Sequence, residues 1–156
     1  RLREAYVSFK GLTFGQTATT FADLQAAPTT IDFQGPNAYT YRRNLMIRYH
    51  LNISPSWEFA VAAEMPGVSA TTPTRAAYVI PQRVPDFPMY FQYNWNQGRS
   101  HLRASGILRT MNYYDNTSMN TQTELGWGAM LSGNIALSKS ASFFGQRTRT
   151  DLLRFS

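Results

Sequence analysis

The sequence predicts an all-β protein, a transmembrane antiparallel up-and-down β-barrel, on three observations. Apolar and polar residues alternate with a period of two in almost every segment. Short polar turns recur at a regular spacing, each followed by one long irregular connection. The large aromatic residues gather near the ends of the alternating segments rather than at their centres.

The first segment, Arg1–Phe9, is the least regular, because Arg3 shares a parity with Ala5, Val7 and Phe9. After Lys10-Gly11 a short strand places Leu12 and Phe14 on one side and Thr13 and Gly15 on the other. In Arg42–Leu51, the residues Leu45, Ile47, Tyr49 and Leu51 oppose Asn44, Met46, Arg48 and His50. In Trp57–Glu64, the residues Trp57, Phe59, Val61 and Ala63 oppose Glu58, Ala60, Ala62 and Glu64. Phe91, Tyr93 and Trp95 oppose Gln92 and Asn94, and Leu102, Ala104, Gly106 and Leu108 oppose Arg103, Ser105 and Arg109. The last clear segment sets Leu125, Trp127, Ala129, Leu131, Gly133, Ile135 and Leu137 against Gly126, Gly128, Met130, Ser132, Asn134 and Ala136.

Short turns fall at Lys10-Gly11, Asn52–Ser56, Asn96–Ser100 and Ser138–Ser142, and long stretches at Thr17–Tyr41, Met65–Pro88 and Thr110–Asn120. A meander with short turns at one end and long loops at the other is the layout of outer-membrane barrels. A soluble sandwich or a lipocalin-like barrel would use the same alternation, and parity alone does not separate water outside from water inside. The positions of Tyr39, Tyr41, Trp57, Tyr90, Trp95, Tyr113 and Tyr114 weigh toward the membrane, where interfacial girdles hold aromatics at strand ends.

Composition agrees with a strand-based wall. The chain has 156 residues, 43% apolar, yet a mean hydropathy of -0.35, so apolar residues are interleaved rather than blocked. No purely apolar run is longer than Phe59–Ala63, far short of the ~20 residues of a membrane-spanning helix. Cysteine is absent, which excludes a disulfide framework and thiol-based chemistry. His50 and His101 have no acidic pair at ligand spacing, so no metal site or other cofactor is expected. Net charge is +6, carried by arginines against only Lys10 and Lys139. Arginine dominance favours fixed sites for carboxylate or phosphate over a nucleic-acid surface, and no nucleic-acid partner is expected.

One connection stands apart. Residues Thr17–Tyr41 carry Pro28, Gly35 and Pro36, which break regular structure, together with Phe21, Leu24, Ile31 and Phe33, which need a surface to pack on. Structureless loops of this length are usually functional. The expected arrangement is an inward fold that narrows the lumen, with Phe21, Asp23, Asp32 and Phe33 as its constriction residues. The aromatics would face the wall, and Asp23 and Asp32 would oppose the basic residues across the lumen. For each acid, capping a turn or bonding local backbone amides weighs more than solute contact.

The ordered series Arg1-Leu2-Arg3-Glu4-Ala5-Tyr6, Gly15-Gln16-Thr17, Phe21-Ala22-Asp23, Asp32-Phe33-Gln34-Gly35-Pro36 and Ile47-Arg48-Tyr49 resembles the DcaP-like outer-membrane porins, most densely over Arg1–Leu51. The resemblance implies a porin-like barrel of about sixteen strands, with about half present here, in the outer membrane of a Gram-negative bacterium. It also implies a homotrimer in contact with lipid and lipopolysaccharide, and passive uptake of small, often anionic, solutes. Eight strands do not enclose an aqueous channel of that width, so residues 1–156 are read as part of a single barrel domain within a longer chain. The abrupt change after Gln146, to Arg147-Thr148-Arg149-Thr150, marks a possible discontinuity.

On the water-facing parity the expected pore lining is Arg48, His50, Glu58, Glu64, Arg103 and Arg109, with Arg42 just above. Arg48, Arg103 and Arg109 are expected side by side, with Glu58 and Glu64 able to pair with Arg48. Facing rows of opposite charge would set up a transverse field that orients anionic or carboxylate-bearing solutes. Each arginine is equally compatible with the solvated face of a sheet. The functional expectation is a diffusion channel, the alternative an outer-membrane barrel with a structural or docking role. An enzyme is not expected, because a rim hydrolase needs its histidine and serine on the lipid side and both histidines fall on the lumen parity.

Overall fold

The computed structural model describes residues 3–27, 42–67, 77–79, 82–115, 119–137 and 142–153. They form one antiparallel sheet of nine strands. The strands are β1 (Ala5–Phe9), β2 (Leu12–Ala18), β3 (Arg43–Ser54), β4 (Trp57–Glu64), β5 (Ala77–Val79), β6 (Phe87–Trp95), β7 (Ser100–Asp115), β8 (Asn120–Ala136) and β9 (Ser142–Leu153). Eight follow one another in chain order, β1-β2-β3-β4-β6-β7-β8-β9, and the short β5 pairs with the far end of β7. The sheet is open, with β1 and β9 at its edges, as in part of a barrel wall.

Turn chemistry accounts for the tight end. Lys10 and Gly11 both take positive φ (46° and 84°), the twist a two-residue hairpin needs, so β1 and β2 pair without a loop. A register shift between Asn52 and Ser54 absorbs the approach to the β3–β4 turn. Asn96, Gln97 and Gly98 form a left-handed run between β6 and β7.

Burial is inverted relative to a soluble sheet. In β6, Phe87, Met89, Phe91 and Tyr93 are exposed while Pro88, Tyr90 and Gln92 are buried. Leu45, Ile47, Tyr49 and Leu51 of β3 are exposed too, whereas Glu64, Ser100 and Ser132 are at most 2% exposed. Such a chain satisfies its polar groups inward and offers its large side chains to a medium that is not water. On the outer face Trp57 packs against Phe91 and Tyr93 at 4.8 and 4.5 Å between ring centroids, and Tyr93 against Trp95 at 5.7 Å. These rings sit beside the short turns, where a girdle is expected.

Several expectations need correction. Tyr90 belongs to no girdle, because its parity turns it to the covered face, where it is 8% exposed. Tyr39 and Tyr41 lie outside the described residues. Thr110–Asn120 is mostly strand, since β7 and β8 pair continuously from His101↔Asn134 to Asp115↔Asn120. With 16 and 17 residues, these strands exceed the roughly 9–11 that cross a bilayer. Their far ends therefore stand in water, where alternation fades although the hydrogen-bond ladder continues. At the other extreme, β9 pairs with β8 from Ser142 to Leu153, through Arg147–Thr150 without a register shift.

Candidate functional site

The covered face of the sheet is organised by residues 19–26, which leave the end of β2 and lie across β4, β6, β7 and β8 as a strap. Its root is held by Glu64, at the end of β4. One carboxylate oxygen accepts the Thr20 amide at 2.6 Å; the other accepts the Thr19 hydroxyl at 2.7 Å and the Asn44 amide at 2.8 Å. The Thr19 amide donates to the Arg42 carbonyl, which ties the strap to the start of β3.

Three residues further on, Asp23 reaches the β7–β8 pair. Asp23 Oδ2 accepts hydrogen bonds from His101 Nε2 at 2.8 Å and Ser132 Oγ at 2.6 Å. Oδ1 accepts the Gln25 and Ala26 amides at 3.1 and 3.2 Å and lies 4.0 Å from Arg103 Nε. An imidazole nitrogen this close to a carboxylate carries the hydrogen, which fixes Nε2–H as donor. Burial would raise the Asp23 carboxyl; the His101 hydrogen bond, the Arg103 charge and the Ser132 hydroxyl outweigh it and hold it down to about 2.

Arg103 is the hub of the wall. Its Nε donates to Gln92 Oε1 at 2.6 Å and its Nη1 to the Ala22 carbonyl at 3.1 Å, while the guanidinium lies 4.0 Å over the Tyr90 ring. From Gln92 the network runs to Asn94 at 2.7 Å, from Asn94 to Glu58 at 2.7 Å, and from Glu58 to His50 at 3.4 Å.

The residues singled out from the sequence divide into those on the open wall and those consumed by the strap. Arg48 and His50 are half-buried on the covered face of β3, and among the described residues Arg48 has no hydrogen-bond or ion-pair partner. Arg109 is clamped bidentately by buried Asp86, at 2.9 and 2.6 Å. Arg42 donates to the Gly67 carbonyl. Phe21 is buried in the strap at 7% exposure. Asp32 and Phe33 lie outside the described residues.

Three expectations are overturned here. Arg103 does not project into water; it is 7% exposed beneath the strap. The three arginines form no single row, because β4 and β6 separate Arg48 from the other two. Neither acid pairs with Arg48: the register sets Arg48 opposite Ala62, Glu58 beside His50, and Glu64 among strap donors. Asp23 likewise shows nothing to the lumen, being wholly buried against the wall, though its bonds to Gln25 and Ala26 are the turn-capping role its residue type suggested.

Sequence reasoning passed over Gln92, Ser132, Asp86, Thr19, Thr20 and Asn44. Gln92, Ser132 and Asn44 show only membership of the small, polar parity, and Thr19, Thr20 and Asp86 fall in the long connections. The contacts that give them meaning span up to 109 residues.

An antiparallel meander with its large apolar side chains outside, its polar groups inside and a segment folded across the inner face is the wall of an outer-membrane β-barrel. The profile of the DcaP outer membrane protein family matches residues 1–147, and the chain belongs to that family, whose members reside in the outer membrane of Gram-negative bacteria. Among solved structures it is similar to the outer membrane channel DcaP of Acinetobacter baumannii, with a TM-score of 0.79 and 23% sequence identity. That similarity covers 96% of this chain and 41% of the other, so the chain spans about two fifths of that channel's length. No curated protein matches the sequence.

Proposed function

We infer that the chain is part of a water-filled channel through which small anionic or carboxylate-bearing solutes diffuse passively, and that the strap narrows it. The observation that carries this reading is the polar inner face crossed by an ordered segment that two carboxylates hold down. A purely structural barrel has no need for a polar inner wall with partly exposed arginines. Arg48 and the exposed part of Arg109 provide the positive potential that favours anions. The family relationship supports an assembly of whole barrels as trimers in contact with lipid and lipopolysaccharide. A structural or docking role is the alternative.

The test is single-channel conductance of the full-length protein in planar bilayers. A steady ohmic current with anion preference is expected, and deletion of residues 21–26 should enlarge both the current and the size cutoff. Absence of any current from correctly folded protein would replace the channel reading with a structural one.

A further inference from the structure

We propose that the barrel wall carries a carboxylate-binding site, built by His101, Arg103 and Ser132, which the chain's own Asp23 occupies, so that the strap docks as an internal competitor of carboxylate ligands. The competition for solutes rests on the channel reading above; the site itself does not.

The donors are assembled by strand pairing rather than by the strap. Arg103 and Ser132 are direct partners across β7 and β8, and His101 lies two residues from Arg103 on the same face of β7. Arg103 is also aimed by Gln92 and the Tyr90 ring, both on β6. Strand register thus brings an imidazole, a hydroxyl and a guanidinium to one small area of the wall, where Asp23 meets all three. The strap contributes the Asp23 carboxylate, at 2.8 Å from His101, 2.6 Å from Ser132 and 4.0 Å from Arg103, the Ala22 carbonyl on Arg103 Nη1, and Gln25 Oε1, which accepts from Gln92 Nε2 at 3.3 Å. Carboxylate oxygens facing a guanidinium, an imidazole N–H and a hydroxyl are how a protein holds a carboxylate ligand.

Charge accounting supports the same assignment. Among the described residues, Asp23 is the only acid within ion-pair distance of Arg103, whose other partners, Gln92, Ala22 and Tyr90, are neutral. Lifting the strap would leave a wall cation uncompensated next to His101, and a carboxylate of comparable size would restore the balance. A channel whose strap is lifted would therefore be both wider and more anion-selective than one with the strap docked, which a merely steric plug would not produce.

Formate is the probe, and the full-length protein in detergent and in planar bilayers is the material. Asp23→Ala empties the carboxylate volume; Asp23→Asn removes the charge but keeps it filled. Formate, compared with chloride at equal ionic strength, should raise the thermal midpoint of Asp23→Ala saturably and leave wild type and Asp23→Asn unmoved. In a salt gradient both variants should shift the reversal potential toward anions, and formate should reverse that shift only in Asp23→Ala. If Asp23→Ala does not fold in chloride, formate present during refolding should restore its yield, and no restoration while Asp23→Asn folds overturns the proposal. So does a folded Asp23→Ala with no saturable response to formate, or an equal response in wild type. Wild type that passes no current removes the channel reading, while the thermal midpoints still decide the site.

Discussion

Lowering the pH should undock the strap in a window set by Asp23. The carboxyl has its pKa lowered from an ordinary 3.8 to about 2 in the folded protein. A depressed folded-state value means that the stabilisation is fully present above about 3.8 and is lost as pH falls toward 2. The gap is worth about 2.4 kcal/mol, at about 1.4 kcal/mol per pH unit. The docked-to-undocked ratio would fall by about 60-fold in total, about 20-fold of it between pH 4 and pH 2 and the rest outside that range, since about 1.4 kcal/mol is tenfold. The amides of Gln25 and Ala26 report this directly, because both donate to Asp23 Oδ1. Their hydrogen-exchange protection, corrected for the intrinsic rate, should drop between pH 4 and pH 2, while mid-strand amides of β7 keep theirs. Asp23→Asn, which has nothing to titrate, should show low protection at pH 6 and no further loss below pH 4. Protection in wild type that stays flat from pH 4 to pH 2 would refute the assignment of the latch to this carboxylate.

Three other perturbations probe the two faces. Arg48→Glu should move the reversal potential toward cations, an effect that fades at high salt because charges are screened within ~8–10 Å near physiological ionic strength; an unmoved potential would take Arg48 off the pathway. Ile47→Arg places a charge on the outer face and should cost about 2–4 kcal/mol if it sits near the bilayer midplane, read from folding equilibria into vesicles. Arg109→Met strands the buried Asp86 carboxylate and should cost about 3–5 kcal/mol; adding Asp86→Asn should recover much of that loss, and a double variant no better than the single one would argue against the pair.

What the sequence determined on its own was the wall. Period-two alternation and turn residues are local properties, so Lys10-Gly11, the β4 limits at Trp57 and Glu64, and the shared parity of Leu45, Ile47 and Tyr49 could be read directly. Alternation weakened where both faces meet water, which is why β7 and β8 run further than the pattern foretold. The use of each inner-face residue was decided only by the tertiary structure. Arg48 and Arg103 have the same parity and the same chemistry in the sequence, yet the first is half-buried on β3 beyond the strap and the second is buried between Tyr90, Gln92 and Ala22. The difference arises because the strap crosses from the end of β2 to the β7–β8 pair, bringing Asp23 to Ser132 across 109 residues. No local pattern encodes that encounter; strand register aims the donors, and the reach of the strap selects which of them are covered.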